Sequence, residues 1–203
     1  MPDAVTRSWV DCLNTRVTRL LIAGVLILAG GCSRKEPPAT DLKASATIKD
    51  IMDSMVDPSA DVLFESVVEI ADENGITEKA PQTDEEWKQV RRHSVVLLEA
   101  PNLLVMEGRR VAQPHERSEN PQIELQPEDI QKLIDADRPS FIGRARKLQE
   151  AAEAALKAIE RKDKTGLFHA IESIDRACEN CHLRYWYPND QRARQAAKEQ
   201  GLE

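Results

Sequence analysis

The sequence predicts an all-α domain, an antiparallel four-helix bundle. Four stretches carry apolar residues at helical spacing, and no run shows the period-2 alternation of a half-buried strand. Beyond Leu42 glycine is confined to positions 75, 108, 143, 166 and 201. A single long connection among shorter ones suits a bundle of antiparallel neighbours.

The first helix is read from Ile48, Met52, Met55, Val62, Ser66 and Ile70, which fall roughly on one face. Asp57-Pro58 interrupts it. Proline lacks a donor and crowds the preceding turn, so a kink is expected there, or an end and a restart with Asp57 as N-cap. The second helix opens on Thr83-Asp84-Glu85-Glu86, a capping box. Trp87, Val90, Ser94, Leu97, Leu98, Leu104 and Val105 follow at helical spacing, with a bend expected at Pro101. Residues 113–127 hold three prolines, many charges and few apolar side chains, and read as a crossover loop. A short helix is expected at 128–135.

The third helix spans about 140–161. Phe141, Ala145, Leu148, Ala152, Ala155 and Ile159 form a heptad seam whose small residues let a neighbour approach closely. The fourth starts at Thr165-Gly166, carries Leu167, Ile171, Ile174, Cys178, Cys181 and Tyr185 on its seam, and closes before Pro188.

The N-terminus reads as an address. Arg7, Arg16 and Arg19 precede an uncharged run whose apolar centre, Leu20 to Ala29, is ten residues long. At about 15 Å of helix it covers roughly half a bilayer core, too short to span it. It has the form of a signal-peptide core and ends Leu28-Ala29-Gly30-Gly31-Cys32. Small residues before a cysteine resemble a bacterial lipoprotein lipobox, with Ala29 where leucine is commoner. That resemblance implies cleavage before Cys32, lipidation of Cys32, and anchoring to a bacterial membrane on the periplasmic side. The organisation expected is therefore a signal peptide at 1–31, a linker at 32–42, a domain at 43–190 and a tail at 191–203. Pro37-Pro38 stiffens the linker. Cleavage removes three Arg and two Asp and takes the net charge from −7 to −8. Such acidity argues against nucleic acid as the partner and hints at a basic protein partner or face.

Four cysteines, at 12, 32, 178 and 181, invite a reading as two disulfides. Cys12 leaves with the signal, however, and Cys32 carries lipid. Cys178-Glu179-Asn180-Cys181-His182 is C-x-x-C-H, the signature of c-type haem attachment. On a helix, positions i, i+3 and i+4 share a face. Two thiols can then form thioethers with one porphyrin edge while His182 turns its imidazole to the iron as axial ligand. The fold predicted is thus a bundle with haem attached on the last helix. Three other readings are weaker. A Cys178–Cys181 disulfide would close a short, strained helical loop. A thioredoxin-type site needs a βαβ context. Zinc needs a fourth ligand, while His93, His115 and His169 are scattered.

With this motif on the last of four helices, the chain resembles class II cytochromes c, the cytochrome c′ and cytochrome c556 group. The resemblance covers roughly 43–190 and is carried by the haem motif together with Ile48 to Asp61, Asn102-Leu103-Leu104 and Cys181 to Pro188. It implies one covalently bound haem c packed between the ends of the first and last helices. It also implies a sixth ligand near the start of the first helix. Met52 is the preferred residue there, then Met55, with Met106 third; the competing reading of all three is core filler. His93 and His169 read as surface or bundle-edge residues. The cytochrome c′ pattern has Tyr three and a basic residue four positions after the haem His. Tyr185 matches it and Trp186 does not, and both are expected on the porphyrin or capping the bundle. A closed Met/His site favours one-electron transfer; a five-coordinate iron with its sixth position open would bind NO or another small gas. No convergent acid/base groups are identifiable, so no enzymatic activity is expected. The resemblance also allows a homodimer formed through the first two helices.

Overall fold

The computed structural model describes residues 42–72, 75–199 and 201, within the compact unit Leu42–Glu203. The expected signal peptide, Cys32 and the expected linker up to residue 41 lie outside the described residues. The chain is predominantly helical. No helix among the described residues is long and apolar enough to cross a membrane.

The first helical rod is built in three pieces: α1 (Ile48–Ile51), a π-helical turn (Met52–Val56) and α2 (Asp57–Phe64). Its N-cap is Thr47, in a capping box with Asp50, and not Asp57. The rod neither ends nor restarts at Asp57-Pro58. The Asp57 N–H bonds the Met52 carbonyl five residues back, so the extra residue of the π turn carries the chain past the proline. That extra residue also shifts the register. Ile48 and Ile51 are buried before the turn; Val56, Ala60, Leu63 and Val67 are buried after it. Met55, Val62 and Ser66, one position earlier in each case, are half-buried.

Ile70 does not continue this helix. Residues Val68–Asp72 form β1, which pairs antiparallel with β2 (Gly75–Lys79), Val68 opposite Lys79 and Asp72 opposite Gly75. This two-stranded hairpin corrects the expectation that no strand is present. Five-residue segments are too short for a period to separate strand from helix. Gly75 enters β2 at φ +125°, a conformation that disfavours side chains.

Helix α3 (Asp84–Leu104) starts on the Thr83–Glu86 capping box and continues through buried Pro101 for one further turn. The loop after it leads to α4 (Pro127–Ala136), then α5 (Arg138–Glu160) and α6 (Lys164–Tyr185). The segment 191–203 contains a further helix, α7 (Gln191–Glu199), whose Ala197 is buried.

Long-range hydrogen bonds fix the helix directions. His93 on α3 meets Ser59 on α2 at 3.3 Å, while the Ile48 and Lys49 N–H groups bond the Arg110 and Val111 carbonyls, each at 2.9 Å. The rod and α3 therefore run antiparallel, and the loop satisfies donors at the rod's start. Gln149 bonds the Leu98 carbonyl, and Arg138 bonds that of Val105, setting α5 antiparallel to α3. Arg144 bonds the Asn180 carbonyl, setting α6 antiparallel to α5. Every residue of the α5 seam, Phe141, Ala145, Leu148, Ala152, Ala155 and Ile159, is buried. Arg109, itself buried, clamps the entrance of the rod by donating to the Ala46 and Leu103 carbonyls.

Candidate functional site

The last two turns of α6 carry Cys178, Cys181 and His182 toward the π turn of the rod. Two cavities meet there. One, of about 240 Å³, is walled by Met52, Asp57, Phe141, Cys178, Cys181 and His182 among others; we call it the thiol cavity. The second, of about 220 Å³, lies under the 113–127 loop and is lined by Lys49, Met52, Asp57, Leu125, His182 and Trp186 among others. Met52, Asp57 and His182 belong to both walls. Each cavity is smaller than the ~300–1,000 Å³ usual for a ligand cleft.

The expected site residues are thus brought together from opposite ends of the chain. Met52 is half-buried and lines both cavities. Met55 packs against the core and lines neither of them, and Met106 accepts a hydrogen bond from Arg109 at 3.3 Å. His169 is exposed and bonds Glu172, His115 is exposed, and His93 is occupied with Ser59 and Gln89. Tyr185 lines neither of these two cavities. It is buried in the core, edge-to-face with Phe141 at 5.6 Å between ring centroids. Trp186 does line the loop cavity, its ring 6.3 Å from that of His182.

Burial sets the protonation of the site. Cys178 and Cys181 are free thiols. Burial pushes the Cys178 thiol up to about 12 and the Cys181 thiol up to about 11, so both are protonated at neutral pH. Burial lowers the pKa of His182, which keeps its imidazole neutral and able to coordinate. Asp57, at the rim, is raised by desolvation. A neutral imidazole and a thioether are donors that suit a transition metal, whereas the two protonated thiols are groups for covalent attachment and not for ligation. Among the described residues no three His, Cys, Asp or Glu side chains are grouped to hold a bare metal ion.

Several contributors were not evident from the sequence. Tyr187 donates to Glu179 at 2.7 Å, and its ring lies 5.7 Å from that of His182. The Trp186 and Tyr187 N–H groups both bond the His182 carbonyl, which fixes the end of α6. The Leu125 N–H bonds the Trp186 carbonyl at 2.8 Å and ties the crossover loop to the site. The aromatic run Tyr185-Trp186-Tyr187, which starts three residues after His182, was a local signal for such packing; the loop tie had none. Arg144 lines the thiol cavity and leaves its buried Nε without a hydrogen-bond partner.

Comparisons with protein-family models, with curated proteins and with solved structures returned no match.

Proposed function

We propose that this chain is an exported monohaem c-type cytochrome of four-helix-bundle architecture, resembling the cytochrome c′ and c556 group, that mediates one-electron transfer in the periplasm. In this reading Cys32 is lipidated and holds the domain at a bacterial membrane. The observation that carries it is the convergence of Cys178, Cys181, His182 and Met52 on the wall of the thiol cavity, with both thiols free and the imidazole neutral.

The residues fit haem c by their chemistry. Cys178 and Cys181, one helical turn apart on the same wall, supply the thioether sulfurs. His182 would supply a nitrogen to the iron, and Met52 on the rod would supply a soft thioether donor. When bound, haem supplies a one-electron couple. The protein orients His182 by locking its carbonyl at the end of α6. It excludes water with Trp186, Phe141 and the Leu125 strap, and holds Met52 in place through the π turn.

The test is export of the chain in a host with haem-attachment machinery, followed by intact mass and visible spectra with and without CO. One covalent haem and a low-spin reduced spectrum indifferent to CO are expected. Absence of covalent haem would overturn the reading; rapid CO binding by unmodified protein would replace electron transfer by gas binding at an open iron.

A further inference from the structure

Tyr187 touches the last turns of α6 at three points, and each bears on His182. Its backbone N–H bonds the His182 carbonyl at 3.0 Å. Its ring meets the His182 ring edge-on, 5.7 Å between centroids at an interplanar angle of 60°. Its hydroxyl donates to Glu179 Oε2 at 2.7 Å. Glu179 lies three residues before His182 and therefore on the same helix face. Glu179 lines the thiol cavity, Tyr187 lines the loop cavity, and His182 lines both. The hydrogen bond thus links the two walls that share the imidazole.

We propose that Tyr187 is a positioning residue for His182, held in place by Glu179, and that this clasp sets the orientation in which the imidazole meets the iron. The part that concerns iron rests on the reading of the site as haem-bearing. An imidazole turns about two side-chain bonds, and a metal-bound one is commonly steadied by a hydrogen bond to its second nitrogen. Among the described residues the His182 ring has no such bond, and its ring neighbours are Tyr187 and Trp186. Packing therefore orients it. Of the two neighbours, Tyr187 is the one whose side chain is itself anchored, through Glu179. Tyrosine suits the place, because its ring gives the edge contact while its hydroxyl reaches the carboxylate. Burial, then the hydrogen bond to Glu179, pushes the phenol pKa up, so the hydroxyl stays protonated and keeps donating.

The experiment uses the full chain and four variants, Tyr187→Phe, Tyr187→Leu, Glu179→Ala and Glu179→Gln, with circular dichroism to check each fold. Phenylalanine keeps the ring and drops the hydroxyl; glutamine keeps a carbonyl acceptor and drops the charge. The order of the His182 ring is read by nuclear magnetic relaxation in the haem-free chain. In the haem-bearing chain the ferric electron paramagnetic resonance signal reports how the axial imidazole is oriented. Tyr187→Phe and Glu179→Ala should each lower the ring order and shift or broaden the signal. Tyr187→Leu should do so further, and Glu179→Gln should keep the wild-type values. Wild-type ring order in Tyr187→Leu would overturn the proposal. So would a Glu179→Gln protein that behaves like Glu179→Ala, because Glu179 would then act through its charge and not as an acceptor. Haem content by intact mass is read separately. Covalent haem with an unchanged signal in Tyr187→Phe and Glu179→Ala would overturn the positioning role and leave the cytochrome reading standing. Loss of ring order in a chain that takes up no haem would keep the clasp and remove its role toward iron.

Discussion

Phe141 and Tyr185 meet edge-to-face where α5 and α6 close over the thiol cavity, both rings buried and their centroids 5.6 Å apart. The Tyr185 hydroxyl has no hydrogen-bond partner in that position. A buried hydroxyl without a partner costs free energy, so the ring, and not its oxygen, holds this contact. Tyr185→Phe should leave stability unchanged or raise it by about 1 kcal/mol. Phe141→Ala should lower it by about 3–5 kcal/mol through lost burial and a cavity. Urea unfolding of the three proteins decides the matter; a marked loss in Tyr185→Phe would mean that the hydroxyl bonds something, and would restore a role for it at the site.

Met52 and Met55 are one turn apart in sequence but differ in position, because only Met52 lines the cleft with His182. Met52→Leu keeps the volume and removes the thioether donor. In the haem-loaded protein this substitution should convert a low-spin spectrum to high-spin and open the iron to CO, while Met55→Leu should leave both properties unchanged. Loss of the far-red Met-to-iron band in Met55→Leu alone would reverse the assignment.

The contrast between those methionines shows how much could be read from the sequence. The α5 seam and the capping box at Thr83 were legible because a long periodic stretch and a local cap each carry their own signal. The C-x-x-C-H spacing was legible for the same reason, since it lies within one helical turn. The rod was legible only up to Met52. Beyond it the π turn adds one residue and moves the buried face from Met55, Val62 and Ser66 to Val56, Ala60, Leu63 and Val67. A regular 3.6-residue period cannot foresee such a step. Nor could it place Arg144, Tyr187 or Leu125, whose contacts join segments distant in sequence or turn on the geometry of a helix end.

The small residues of the α5 seam are the second structural commitment of the helix core. Ala152 and Ala155 are fully buried in a helix packed against both α3 and α6. Their Cβ atoms leave no room for branching, and added methylenes must displace backbone or force poor rotamers. Ala155→Leu is expected to cost about 1–3 kcal/mol, read as a lowered urea midpoint. Wild-type stability in that variant would show that the helices separate freely at this level.

The capping box that starts α3 gives the domain an acid-sensitive element away from the cleft. The Glu86 carboxylate accepts from the backbone N–H groups of Thr83 at 2.8 Å and Gln82 at 2.7 Å. The Thr83 hydrogen bond, then that from Gln82, holds its pKa below the ordinary 4.5. A carboxyl with a depressed folded-state pKa stabilises the fold above the unfolded-state value and loses that contribution as pH falls through the folded one. The contribution is therefore complete at neutral pH and declines below about pH 4.5. Glu86→Ala removes the acceptor at every pH. The difference in urea midpoint between wild type and Glu86→Ala should be largest near pH 7 and shrink toward pH 3. A difference that stayed constant across that range would mean that Glu86 acts on α3 through packing or helix propensity, and not through its charge.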